Sequence, residues 1–259
     1  MTMNKYDEPS ELSKHCESTG ELYEYLRAKA RTHNSYKHYG RLDRIANIVN
    51  KKELYLSDGS GWNDTVDSAN FNSDDRATKS FGTCFSYLQD ESVAMWRIYG
   101  NHVHSGAMID FTRKGMNNIL QIQTVEVGYF AENNAGFRGM ITLNRPDFEI
   151  DLVDVVYYNP KTGYVKRSDE GCRLKDRSIL EHLGVCKKYY PWNYENECRL
   201  IVTVKKELLP EKCSAVKLDI SGVSWGKTTD RMYLCPEHKG AVPNGFKPSE
   251  LQGSVNFGS

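Results

Sequence analysis

The chain has 259 residues, 26% of them charged and 39% hydrophobic, with 34 basic and 34 acidic side chains. That composition supports a packed core and excludes a disordered polypeptide, and the zero net charge excludes a whole-molecule field that draws in nucleic acid or an acidic membrane. The sequence holds no apolar run of the roughly 18 residues that a membrane span needs, and its polar, acidic opening differs from a secretory or transit peptide, so a cytoplasmic protein is expected.

Taken in chain order, Ser10 to His33 carries Ser and Thr starts followed by Glu, then Leu22, Tyr25 and Leu26 at helical spacing, which predicts an N-terminal helical region, an accessory segment over residues 1–34. The aromatic stretch Ser35 to Tyr39 predicts a strand, and Leu42, Ile45 and Ile48 recur as one helix face. Glu53 to Ser57 predicts a second strand. The loop from Asp58 to Asp64 is rich in glycine, but its G-x-G lacks a third glycine, and no P-loop pattern appears, so neither dinucleotide-fingerprint nor P-loop chemistry is indicated.

Further strands are predicted at Phe81–Ser86, Ala107–Phe111, Leu120–Phe130, Ile150–Tyr158, Cys198–Val204, Ala215–Ile220 and Met232–Cys235. Short helices are predicted at Met95–Tyr99 and from Ser178 towards Cys186. Many non-local strands with helices gathered early give an α+β fold, with one main domain over residues 35–245 and a loose tail over 246–259. The seven cysteines are odd in number and lack a C-x-x-C pair, so reduced thiols are expected. Cys235 and His238 have the spacing of two zinc ligands without a second pair, so no metal site is assigned.

The chemically suggestive stretch is Trp192 to Ile201. Read as a strand, its period of two places Trp192, Tyr194, Cys198 and Leu200 on a core face and Glu195, Glu197 and Arg199 on the other. Two carboxylates on one face repel, softened by Arg199; they are either a solvated strand face or a catalytic pair. A carboxylate beside an electron-deficient sugar carbon stabilises an oxocarbenium-like transition state, and its neighbour orients or deprotonates the nucleophile. Loss of nicotinamide from NAD is one such glycosidic cleavage.

The segment Tyr36 to Val49, followed by Glu53 to Ser57, resembles the opening of the histidine-type ADP-ribosyltransferases, including those that modify DNA. Their pattern is H-[YIL]-T-x-L-x-x-L-x-x-I-L-x-x-G-x-L, and His38, Leu42, Ile45 and Ile48 keep its spacing, with Gly40 in place of the threonine. A larger set is similar to the bacterial domain-of-unknown-function family 2971: Trp62, Asn63 and Asp64; Thr83 to Ser86; Met95, Trp96 and Tyr99; Gly106; and Trp192, Tyr194, Glu195, Glu197 and Arg199. The resemblance implies an α+β fold of ADP-ribosyltransferase type, with two small facing β-sheets forming an NAD cleft. It implies that His38 contacts the nicotinamide ribose, that Glu197 is the last glutamate of the E-x-E element, and that Glu195 assists the acceptor. Tyr36, Lys37, Tyr39, Asn63, Asp64 and Ser86 would line the NAD pocket, and Tyr99 would offer a ring to nicotinamide. Enzymes of this kind modify RNA, DNA or protein and often act as toxins in bacterial defence, so a nucleic-acid acceptor, with protein as the alternative, and an antitoxin partner are expected from the resemblance.

Two other readings stand beside it. The acids Asp147, Glu149, Asp151 and Asp154 suggest a metal-dependent nuclease. Lys187 to Tyr190, with Lys205 and Lys206, suggests a non-catalytic module that binds RNA or protein.

Overall fold

The computed structural model describes residues 10–62, 64–71, 77–99, 106–131, 136–223, 232–235 and 240–248. Two helices come first, α1 (Glu11–Lys14) and α2 (Thr19–Ala30), and Ser18 caps the second by accepting from the Glu21 amide, as the Ser-x-x-Glu pattern leads one to expect. Then come β1 (Ser35–Arg41), α3 (Leu42–Lys51) and β2 (Glu53–Ser57), the predicted strand, helix and strand; α3 buries Ile45 and Ile48 and ends on Lys52 in the left-handed region. Helix α4 (Thr65–Phe71), β3 (Thr78–Ser86), α5 (Val93–Ile98), β4 (Gly106–Thr112) and α6 (Arg113–Ile119) follow.

The second half is mostly strand: β5 (Thr124–Phe130), β6 (Phe137–Asn144), β7 (Phe148–Asp154), β8 (Val156–Asn159), β9 (Tyr164–Arg167) and β10 (Glu170–Arg173). After α7 (Ser178–Glu181) come β11 (Lys187–Tyr189), a 3₁₀ turn (Tyr190–Glu195), β12 (Glu197–Lys205), β13 (Ala215–Asp219), β14 (Met232–Leu234) and β15 (Lys247–Pro248). The fold is α+β with two mixed sheets, one of eleven strands and one of four. The larger sheet is therefore not the small one expected from the sequence, because β3 joins several strands. Its whole length pairs with β12, while its other edge meets β1 only at Ser86 and β2 only at Gly82. Strands β1 and β2 thus part along that edge. The small sheet runs β10-β9-β8-β11, with β11 parallel to β8.

Two cores explain why β12 is buried almost throughout. Its residues Cys198, Leu200, Val202 and Val204 join the main core with Phe81, Phe85, Ile109 and α3. Ile201, on the opposite face, joins a second core with Leu12, Leu22 and Leu26 of the N-terminal helices, Phe71 of α4 and Val156 and Val165 of the small sheet. This face, for which the sequence left a solvated strand and a catalytic pair as alternatives, is covered by the second layer. The N-terminal helices are part of that layer: Tyr23 donates to the Asp151 carboxylate at 3.1 Å, and Arg27 lies 2.7 Å from it. Phe246 packs into the main core and β15 pairs with β14, so ordered chain extends past the expected start of the tail. Among the described residues no helix is long and apolar enough to cross a membrane.

Leu26 is fully buried in the second core. Leu26→Ala should cost about 2–5 kcal/mol in urea-induced unfolding. A loss below about 1 kcal/mol would show that the N-terminal helices lie loosely on the sheet.

Candidate active site

The pattern around Trp192 breaks where a strand was expected. Tyr190–Glu195 forms a 3₁₀ turn, Asn196 takes a left-handed conformation (φ 42°), and only then does β12 begin at Glu197. Asparagine tolerates this backbone better than most residues. The kink cancels the strand alternation and directs Glu195 and Glu197 at one ammonium group, the Lys188 Nζ, at 2.6 and 3.1 Å. Backbone bonds hold the kink: Ser86 Oγ donates to the Glu195 carbonyl at 2.7 Å, the Tyr87 amide to the Asn196 carbonyl at 2.9 Å, and the Glu197 amide to the Tyr157 hydroxyl at 2.8 Å.

Arg199 completes the cluster. Its guanidinium donates to Glu197 Oε1 at 2.6 Å, to both Asp67 carboxylate oxygens at 2.7 and 2.6 Å, and to the Val185 carbonyl at 2.7 Å. Asp67 reaches it because α4 packs closely on β3. A Cβ at Gly82 would lie 2.7 Å from the Phe71 ring, so the glycine allows the approach. Asp64, expected in the pocket, caps α4 by accepting from the Val66 and Asp67 amides at 3.0 and 3.2 Å. Trp62 covers Arg199, and Trp192 lies beside Lys188.

All five charged side chains are buried. Among the described residues, Lys188 and Arg199 are the cations that Asp67, Glu195 and Glu197 face, leaving one carboxylate in excess. Burial, and then repulsion from Glu197, pushes the Glu195 carboxyl up to about 7. Burial also opposes the charge on Glu197, but Arg199 and Lys188 outweigh it and hold this carboxyl below the usual range. The Tyr99 hydroxyl donates to Glu195 Oε1 at 2.5 Å. The two glutamates thus have different tasks open to them: Glu197 is a fixed anion, and Glu195 is a group able to take or give a proton near neutral pH.

The other expected site residues fall into distinct places. His38 lies where β1 and β2 part, and its Nδ1 donates to the Cys84 carbonyl at 2.9 Å, which leaves Nε2 as the acceptor nitrogen of the neutral ring. Burial lowers its pKa, so the neutral ring is favoured. Tyr36 sits in the main core with its hydroxyl donating to the Ala30 carbonyl at 2.8 Å. Lys37 is buried, and its Nζ donates to Ser35 Oγ and to the Leu88 and Gln89 carbonyls at 2.8, 2.5 and 2.8 Å. Tyr39 packs edge-on against Trp96. Tyr99 enters the site through its hydroxyl rather than its ring face. Asn63 and His238 lie outside the described residues.

The acids of the nuclease reading separate. Asp154 is bound by Arg167 and His33 at 2.6 and 2.8 Å, Asp151 pairs with Arg27, and Asp147 and Glu149 are exposed. Among the described residues no three His, Cys, Asp or Glu side chains gather as metal ligands. The basic stretch of the binding-module reading also differs from expectation: Lys188 turns inward to the glutamates, and Lys187 Nζ donates to the Leu180 carbonyl at 2.6 Å. Asp67 was not identified from the sequence, and Lys188 only as part of the basic stretch, since each reaches the glutamates through folding alone.

Residues 95–200 match a family described as a protein of unknown function (DUF2971). The chain is similar to that family over this span, which takes in Tyr99, Lys188, both glutamates and Arg199 and begins after β1, β2 and β3. No curated protein and no solved structure matches the chain.

The protonation of Glu195 has a consequence for stability. Its carboxyl rises from an ordinary 4.5 to about 7 in the folded chain. Between those values the unfolded chain releases a proton that the folded chain keeps, so stability falls as pH rises from about 4.5 to about 7 and levels off above. The opposite effect of Glu197 belongs to more acidic solutions. Urea unfolding at stepped pH should show this decline, and Glu195→Gln should flatten it. Burial of the neutral His38 acts in the opposite direction in part of the same window, so the comparison decides: a Glu195→Gln profile with the same slope as the wild type rules out a protonated Glu195.

Proposed function

We propose that the chain is an NAD-dependent ADP-ribosyltransferase that releases nicotinamide and transfers ADP-ribose to a macromolecular acceptor, RNA or DNA before protein. In this reading it serves as a bacterial toxin or anti-phage effector restrained by an antitoxin protein. One observation carries the proposal: two buried glutamates, two residues apart, share a lysine and have opposite protonation tendencies. The resemblance of the β1, α3 and β2 segment to the histidine-type transferases supplies the substrate.

The mechanism in this reading is dissociative. Nicotinamide leaves with the bonding electrons, and the ribose becomes an oxocarbenium-like cation. Glu197, kept ionised by Arg199 and Lys188, supplies a preorganised negative charge for that cation. Glu195 takes the proton of the attacking acceptor, a task suited to a carboxyl near 7. The Tyr99 hydroxyl and the Lys188 ammonium occupy places on Glu195 that substrate hydroxyls would take over. Where β1 and β2 part, His38 presents Nε2 to the NAD ribose.

Incubation with NAD and RNA, DNA or protein should release nicotinamide and add the mass of ADP-ribose to one acceptor. Glu197→Gln should slow the release by about 10²-fold or more. In the wild type, transfer should rise with pH through about 7 as Glu195 ionises, and Glu195→Gln should abolish that rise. No nicotinamide release with any acceptor class, or full activity in a folded Glu197→Gln variant, would sink the proposal.

A further inference from the structure

Cys16 follows α1 and Cys172 lies on β10, 156 residues away in sequence, yet their sulfur atoms are 3.5 Å apart. Both are partly exposed, whereas Cys186, Cys198, Cys213 and Cys235 are buried; the remaining cysteine, Cys84, is also partly exposed. Polar bonds already seat α1 against this strand. Ser10 Oγ donates to the Gly171 carbonyl at 3.2 Å, the Leu12 amide donates to Glu170 at 3.1 Å, and the Tyr25 hydroxyl donates to the same carboxylate. The thiols thus meet at a prepared junction between the N-terminal helices and the small sheet.

We propose that Cys16 and Cys172 are a site of reversible oxidation, at which a hydroperoxide converts the two thiols into an intrachain disulfide that locks α1 to β10. A bond requires the sulfur atoms to close from 3.5 Å to about 2.05 Å, a shift within reach of side-chain rotation at two partly exposed positions. In the first step the Cys172 thiol gives up its proton, the thiolate attacks one peroxide oxygen, the O–O bond breaks, and the leaving alkoxide or hydroxide takes up that proton to depart as alcohol or water while Cys172 becomes a sulfenic acid. In the second, the Cys16 sulfur attacks the oxidised sulfur, the S–O bond breaks, and water departs with the Cys16 proton. Two electrons pass from the sulfurs to the peroxide. The Cys16 thiol as donor to Cys172 lowers the Cys172 pKa, which suits Cys172 to the first attack.

The lock acts on the sheet that serves the glutamates. Strand β10 pairs with β9 and β9 with β8, and β8 and β11 carry Tyr157 and Lys188 to Glu197 and Glu195. A disulfide here closes a long loop and restricts the unfolded chain. It stands independently of the transferase proposal.

The full chain is treated with a modest excess of hydrogen peroxide, and its thiols are counted after denaturation. The count should fall from seven to five, and a non-reducing digest should contain one linked peptide joining Cys16 to Cys172. Tm should rise by roughly 5–10 °C and return after treatment with a dithiol reductant. Cys172→Ser should retain its six thiols under the same exposure, whereas Cys16→Ser should stop at the Cys172 sulfenic acid; neither should yield a linked peptide. A wild-type count that stays at seven, a link between other cysteines, or a Cys16–Cys172 link without a rise in Tm would each overturn the proposal.

Discussion

One excess negative charge, held out of water, organises the centre of this molecule. Three carboxylates and two cations cannot all be ionised cheaply in a desolvated pocket, since each unpaired charge there loses its hydration without full return. The imbalance falls chiefly on Glu195, although burial raises the Asp67 carboxyl too, because Glu197 and Asp67 hold the guanidinium of Arg199, while Glu195 has a share of Lys188 and the hydroxyl of Tyr99. The packing around the cluster serves this arrangement: Gly82 admits α4, Asn196 turns the chain, and the small sheet delivers Lys188.

Much of the secondary structure was legible in the sequence, because apolar periodicity is a local property. The strand, helix and strand from Ser35 to Ser57 follow directly from alternating aromatics, a three-residue apolar repeat and a turn between them. The less visible elements are those with weak patterns. Strand β6 is largely exposed, and α6 is only seven residues long and contains Gly115. The Glu195–Glu197 pair was legible as two neighbouring carboxylates but not as a buried pair. Alternation told of two faces, and only the second layer of α2, α4 and the small sheet decides that both are covered.

The same limit applies to the partners of the glutamates. Arg199 meets Asp67 across 132 residues of chain, and no spacing rule connects them. The 3₁₀ turn was hidden for a different reason: Trp192, Tyr194, Cys198 and Leu200 keep a strand-like period across a break made by one asparagine. His38 was picked out by its resemblance to a motif, and its place beside the parting of β1 and β2 became visible only with the pairing of β3.

A buried ionic network of this kind is a poor route to stability, since apolar residues of similar volume commonly do as well or better. Its position sharpens the point. It lies at the start of β12, a strand whose later residues enter both apolar cores. A fold that needed only rigidity there would have had less to desolvate with leucine and phenylalanine. What the charges provide and apolar groups do not is a carboxylate kept ionised next to another kept near neutrality, each fixed by hydrogen bonds before any substrate arrives. Preorganised charge of opposite readiness is useful to proton transfer and to a cationic intermediate, which is the chemistry proposed for this cluster.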